Sequence, residues 1–188
     1  MLNMRYLLYR IGERLIAYYT RISFQYRRLN LIFSVVLLIF LFVMNYQKHI
    51  SKRQVWGYEI LGVWLFLVLG MTVFGRESKV YSEINLSIVG TIIERLQFNI
   101  DTRLEVIFNV FMLFPIGIAQ NLINENSIHS CGFLAMGCII SGIIEVCQLV
   151  FHKGTFELVD ILENSIGYVL GLLIAVYTEK KINKVRNK

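Results

Sequence analysis

The 188-residue sequence is poor in the features that build a soluble domain: only 17% of its residues are charged, and Pro115 is its one proline. A soluble domain of ordinary composition carries about a quarter charged residues, so the shortage points to lipid as the solvent for much of the chain. No linker rich in Pro, Gly or Ser, no low-complexity tract and no internal repeat divides the sequence, and one membrane domain is expected. Histidine and cysteine are scarce, with three of each. His49, His129 and His152 stand singly in three different gaps, while Cys131, Cys138 and Cys147 share one apolar run without C-x-x-C spacing. Neither pattern suits a metal or redox site; the cysteines read as small packing residues, and neither metal nor cofactor is expected. Also missing are H-E-x-x-H, G-x-S-x-G, a phosphate-binding glycine loop and a nucleotide fingerprint, which leaves conventional soluble-enzyme chemistry without a home.

What the sequence does have is hydrophobic length. Apolar residues make up 56% of the chain and aromatic residues 13%, and the charges gather at the ends and in short gaps. The runs between them, residues 30–46, 55–74, 106–123, 131–151 and 158–177, approach the roughly 20 residues a helix needs to cross the hydrocarbon core. The expected fold is an all-α membrane protein with about five transmembrane helices in one bundle. Residues 1–29 set Leu7, Leu8, Ile11, Leu15, Tyr18, Tyr19 and Ile22 at helical spacing against Arg5, Arg10, Arg14 and Arg21, a basic amphipathic segment suited to an anionic membrane surface. Met44 to Gln47 offer no small-residue cleavage site after the first run, so it is expected to stay as a helix. The organisation expected is a basic amphipathic segment (1–29), an additional transmembrane helix (30–46), a four-helix membrane domain (55–178) and a basic tail (179–188). The net charge of +6 comes from residues flanking the spans, as membrane proteins place them. No nucleic-acid-binding motif accompanies them, so lipid rather than nucleic acid is the expected partner.

Polar residues inside the apolar runs are the informative ones, because a carboxylate at mid-bilayer costs about 2.5–3.5 kcal/mol on insertion scales. Ser141, Glu145 and Gln148 share one face of the fourth run, and Asp160 and Asn164, four apart, share a face of the fifth that Gly167 and Gly171 continue. Glu163, next to Asn164, is expected to point elsewhere around that helix. Asn109 lies in the third run, upstream of Pro115, where a proline removes a backbone hydrogen bond and kinks the helix; Asn109 lies within range of the freed carbonyl. Two readings stay open for the set. These groups hydrogen-bond helix to helix while the glycines let backbones approach, or Glu145 and Asp160 face each other or a polar cavity and bind a head group, an ion or a proton.

The stretches Asn109-Val110-Phe111-Met112-Leu113-Phe114-Pro115-Ile116-Gly117, Ile144-Glu145-Val146-Cys147-Gln148 and Glu157-Leu158-Val159-Asp160-Ile161-Leu162-Glu163-Asn164-Ser165-Ile166-Gly167 resemble, in order and spacing, the VanZ-like membrane protein family. Arg76 and Asn85-Leu86 upstream resemble its pattern too, and the likeness spans roughly residues 55–177, leaving the first run and its leader outside. Two places depart from the pattern: Ser87-Ile88 stands where Pro-Phe is common, and Lys153, Gly154 and Thr155 stand where many members carry an arginine before the acidic pair. If a cation is needed there, Lys153 must supply it. The resemblance implies a multi-pass protein of the bacterial cell membrane; the family's founding member is linked to teicoplanin resistance by a route that leaves the peptidoglycan stem terminus unchanged.

The candidate functional polar cluster is therefore Arg76, Asn109, Glu145, Gln148, Glu157, Asp160 and Asn164, with Pro115, Gly117, Gly167 and Gly171 shaping the helices. One function compatible with it is a non-catalytic envelope protein that binds or shields a lipid-linked cell-wall precursor, a glycopeptide or a membrane protein partner. Arg76 and Lys153 would meet anionic groups, and Glu157 and Asp160 would orient them. The other is a membrane-embedded enzyme or carrier for a lipid-linked envelope substrate, with Glu145 or Asp160 as proton acceptor. Taken alone, the four-helix core has basic flanks on both sides, which places Arg76, Lys153 and Glu157 at the outer face. The extra first helix, led by six arginines, puts the two termini on opposite sides.

Overall fold

Local signals in the sequence set the helix ends. The computed structural model describes residues 4–21, 23–97, 100–124 and 131–186; His129 lies outside them, as does the side chain of Cys131. The leader forms α1 (Met4–Arg21). Ser23 then accepts the Tyr26 N–H at 3.2 Å and starts α2 (Phe24–Tyr46), so the first span begins six residues before its apolar run. Ser51 and Gln54 exchange hydrogen bonds in a capping box that opens α3 (Lys52–Leu69). A single π-helical turn, Gly70–Phe74, closes it. After a short strand β1 (Ile84–Asn85) come α4 (Ile88–Gln97), α5 (Ile100–Ile123), α6 (Cys131–Val150), the strand β2 (Phe156–Glu157) and α7 (Leu158–Arg186).

Among the described residues, four helices are long and apolar enough to cross a membrane: α2, α3 with its π turn, α5 and α7. In α6 the apolar length described is Ala135–Val150, and we read it as the fifth span. Two bounds differ from the apolar runs. α5 starts at Ile100 and takes Asp101 and Glu105 into the helix, while α7 runs on to Arg186, so the basic tail continues a spanning helix. Neither glycine nor proline interrupts these extensions, and good helix formers such as lysine and glutamate carry the helix past the lipid boundary.

α7 is the centre of the bundle. Gly167 and Gly171 bring it so close to α5 that an added Cβ would overlap the carbonyl oxygens of Val110 and Phe114 respectively, and Gly117 makes the same approach from α5 to Tyr168. Small residues are what let membrane helices meet backbone to backbone. Val68, Leu113, Ile116, Ile144, Tyr168 and Leu172 fill the core around this contact. On its other side α7 meets α6, where Asn164 donates to Ser141 Oγ at 2.8 Å and Gly137 lies against the Tyr168 ring. α3 packs on α5, with Trp64 Nε1 donating to the Met112 carbonyl at 2.7 Å. Pro115 sits inside α5, but the Asn109 amide nitrogen donates to carboxylates of α7 instead of turning to the gap the proline leaves.

α2 flanks α3 on the outside, joined by Tyr26 Oη to the Phe66 carbonyl at 2.7 Å and by Ser34 Oγ to Glu59 Oε1 at 2.6 Å. Glu59, a carboxylate buried inside a span, was not singled out from the sequence. Two ends result. At one, Arg53 Nη2 donates to the Asn121 carbonyl at 2.6 Å and to Glu179 Oε2 at 2.7 Å, while Asn121 Nδ2 reaches the same oxygen at 3.0 Å. At the other, the end of α3, the end of α6 and the starts of α5 and α7 meet. α1 joins this second end through Arg10 to Asp101 and Arg14 to Glu105, the latter at 3.5 Å.

Because backbone cannot yield as a side-chain tip can, Gly167→Ala should destabilise the protein by about 3 kcal/mol, the upper range for overpacking. Gly142→Ala, whose Cβ meets nothing within 4 Å, should be neutral. Thermal unfolding of both variants in detergent checks the pair.

Candidate functional site

The site grows from two loops that zip together at the end where α1 lies. The Lys79 N–H donates to the His152 carbonyl at 2.7 Å and the Phe156 N–H to the Glu83 carbonyl at 2.9 Å. Parallel pairing then sets Ile84 opposite Phe156 and Asn85 opposite Glu157. His152 turns the second loop with a left-handed φ of 54°. Asn85 starts α4: its Oδ1 accepts the Ser87 N–H at 3.0 Å and its Nδ2 donates to Thr91 Oγ1 at 3.0 Å. With the start of the helix held, Thr91 and Arg95, one turn apart, face inward and are buried.

Arg95 is the hub of the site. Its Nη2 donates to Glu157 Oε2 at 2.5 Å and Asp160 Oδ1 at 2.7 Å, and its Nη1 to Glu163 Oε2 at 2.6 Å. Asn109 Nδ2 donates to Asp160 Oδ1 at 2.9 Å and to Glu163 Oε2 at 2.8 Å. One guanidinium and one amide thus hold three carboxylates. Burial by itself would lower the pKa of Arg95, but Asp160, Glu163 and Glu157 outweigh it and raise the value above the ordinary arginine range. Glu157 is pushed up from the usual carboxylate range, by burial first and then by the charge of Asp160, with Arg95 opposing both.

Behind this hub lies a second layer. Glu145, 1% exposed, accepts the Glu157 N–H at 3.0 Å, and Gln148 Oε1 accepts from Arg76 Nη1 at 3.3 Å. Gly154 closes over the last pair so tightly that a Cβ there would come 2.9 Å from both Arg76 Nη1 and Gln148 Oε1. In front of the hub opens a cavity of 660 Å³, lined among others by Arg76, Lys79, Arg95, Asn109, Lys153, Glu157 and Asp160, with Arg14 from α1 and Glu105 at its margin.

Three sequence expectations change here. Glu163 does not point away from the cluster: it is buried and bonded to both Arg95 and Asn109. As the central helix, α7 buries a broad arc of its surface, so neighbours in sequence can both face protein. The cation serving the acidic group is Arg95, while Lys153 Nζ donates to the Arg76 carbonyl at 2.9 Å. Glu145 supports the β2 backbone and is not among the cavity-lining residues. Of the candidate cluster, Arg76, Asn109, Glu157 and Asp160 line the cavity, Gln148 and Glu145 back it, and Asn164 bonds α6. The residue missed was Arg95. Its signal was present in the spacing of Glu157, Asp160 and Glu163, three carboxylates at the mouth of a span for which Lys153 alone had been named as the cation. Among the described residues, no group of three His, Cys, Asp or Glu side chains could hold a metal ion.

A helical bundle with four apolar helices of membrane-spanning length and a shorter apolar one, tied by glycine contacts and carrying a charged cavity at one end, defines a multi-pass membrane protein. The VanZ/LLP1 family model matches residues 31–179, and the chain belongs to that family. The match takes in most of α2, which the sequence reading left ahead of the resembling core. No curated protein and no solved structure matches the chain.

Removing the hub should leave its carboxylates buried without a counter-charge. Arg95→Gln is expected to cost about 3 kcal/mol, the lower range for breaking a buried pair, and Glu163→Gln in the same chain should restore part of it. Thermal unfolding of the single and double variants closes the cycle.

Proposed function

We propose that this chain is a bacterial cell-membrane protein of the envelope that uses its end cavity, without catalysis, to bind an anionic group on a surface ligand, lipid or partner. By doing so it lowers sensitivity to glycopeptide antibiotics such as teicoplanin. The observation that carries this reading is a set of three cations facing the cavity with, among the described residues, no carboxylate in ion-pair contact. Arg76 meets Gln148 at 3.3 Å, Lys79 meets Thr155 at 3.3 Å, and Lys153 meets a carbonyl at 2.9 Å. All three line the cavity. Cations held by neutral partners in a concave site are ready for a ligand's charge. The non-catalytic form is supported by the carboxylates themselves. Asp160 Oδ1 already receives Arg95 and Asn109, and Glu145 already receives a backbone N–H, so each is engaged by donors in the fold.

In this reading the cavity faces outward. The basic flanks of the four-helix core, Lys48 and Lys52 before it and Lys180, Lys181, Lys184 and Arg186 after it, favour that orientation, while the six arginines of the leader favour the reverse. In a variant with its native cysteines changed to serine, Lys79→Cys should react with a membrane-impermeant maleimide on intact cells and Lys184→Cys should not. The reverse pattern would place the cavity in the cytoplasm and remove the shielding role.

A sensitive bacterial host expressing the chain should need more teicoplanin for growth arrest than the same host expressing Asp160→Asn, at equal membrane abundance by immunoblot. Unchanged susceptibility with well-expressed wild type would overturn the resistance role. Loss in the variant would tie that role to the cavity.

A further inference from the structure

We infer that the cavity takes the phosphate-bearing head group of a lipid, which enters sideways from the bilayer past α4. The inference rests on the reading of the cavity as an anion site and names what fills it.

The cations outside ion pairs select the head group. Arg95 is satisfied by Glu157, Asp160 and Glu163, and Arg14 reaches Asp101 at 3.4 Å and Glu105 at 3.5 Å. The lining as a whole carries five cations and four carboxylates, and among the described residues Arg76, Lys79 and Lys153 are the lining cations held by neutral partners rather than in ion pairs. A ligand carboxylate brings one charge and two acceptor oxygens. A phosphomonoester brings up to two charges and three acceptor oxygens, a closer match to three cations on two facing loops. Arg76 is positioned in advance: Gln148 and the bare Cα of Gly154 hold its guanidinium, while Lys79 is exposed and free to close on a ligand.

The surroundings select a lipid as its carrier. α4 has two unlike faces. Inward, Thr91 and Arg95 are buried and Arg95 walls the cavity; outward, Val89, Ile92 and Ile93 are exposed, as are Ile84 and Leu86 just before the helix. α4 packs on α5 and α7, and further into these spans the outward residues Ile107, Phe111, Leu162 and Ile166 are exposed and apolar. Such a helix lies in the membrane surface with its apolar face among acyl chains. A molecule with its phosphate at Arg76 and its chains along Val89 and Ile93 satisfies both faces at once, which a soluble anion would not.

The test uses the purified full chain in a neutral detergent, with unfolding temperature followed against dihexanoyl phosphatidic acid, dihexanoylglycerol and inorganic phosphate. Phosphatidic acid should stabilise the wild type saturably, dihexanoylglycerol should not, and inorganic phosphate should bind more weakly than the lipid. Lys79→Gln and Lys153→Gln should each lower the affinity for phosphatidic acid about tenfold, as expected for loss of one charge-assisted contact. Lys79 is exposed, so its variant should keep the fold even where an Arg76 substitution does not. Equal response to dihexanoylglycerol, or unchanged affinity in both lysine variants, would overturn the site. Inorganic phosphate binding as tightly as the lipid would overturn the lipid assignment. Binding here is read without antibiotic, so failure of the resistance role and failure of this site are separate results.

Discussion

Three carboxylates enter the bundle at the start of α7, and a single guanidinium keeps them there. Carboxylates at the edge of hydrocarbon have little water to solvate them, so Glu157, Asp160 and Glu163 depend on Arg95 and Asn109 for the donors that water would supply. Arg95 reaches them from outside the spans, on a ten-residue helix that must be held in place. Asn85 holds the start of that helix, β1 holds Asn85, and the zipped loops hold β1. The extramembrane structure at this end can therefore be traced back to one buried charge requirement. The cavity is the space left in front of it.

How much of this was legible in the sequence depended on distance along the chain. Spans came directly from apolar length, and the α5 to α7 contact was foreshadowed by the four-residue interval between Gly167 and Gly171. Asn164 to Ser141 followed the same logic of polar groups seeking partners in lipid. Arg95 was harder, because its partners lie more than 60 residues later and only the fold of the loops brings it to them. Glu163 was misread for a related reason: helical spacing gives the angle of a side chain, but which angles face protein depends on how many neighbours a helix has. Glu59 was passed over inside an otherwise apolar run, although its bond to Ser34 ties α2 to the bundle. The family resemblance pointed to Arg76 and the acidic stretch, yet Lys153, Gly154 and Thr155 stand where its arginine is common, and it led to Lys153 where the fold uses Arg95.

The leader and the first span also take on a clearer place. α1 meets α5 at the cavity end through Arg10 and Arg14, so its arginines serve the protein as well as any lipid surface. α2 lies outside the glycine-packed centre, with most of its surface turned outward. The chain thus combines a tight inner group, α3 with α5, α6 and α7, and two outer helices, α1 tied on by ion pairs and α2 by polar bonds and by Tyr26 and Phe33 packing on Phe66.

α7 is fastened at three levels: Arg95 grips its first turn, Val110 and Phe114 press against its middle, and Arg53 with Asn121 clamps Glu179 near its far end. A rod pinned in this way resists both sliding and rolling, so a signal arriving in the cavity has no easy route along the axis of the molecule. Mechanical compliance is left to the rim, where α1 is tied by its arginines and α4 by Arg95 and the loop before it. Any movement that accompanies occupancy should be a tilting of those short helices in the plane of the membrane surface, with the shaft of the bundle standing still.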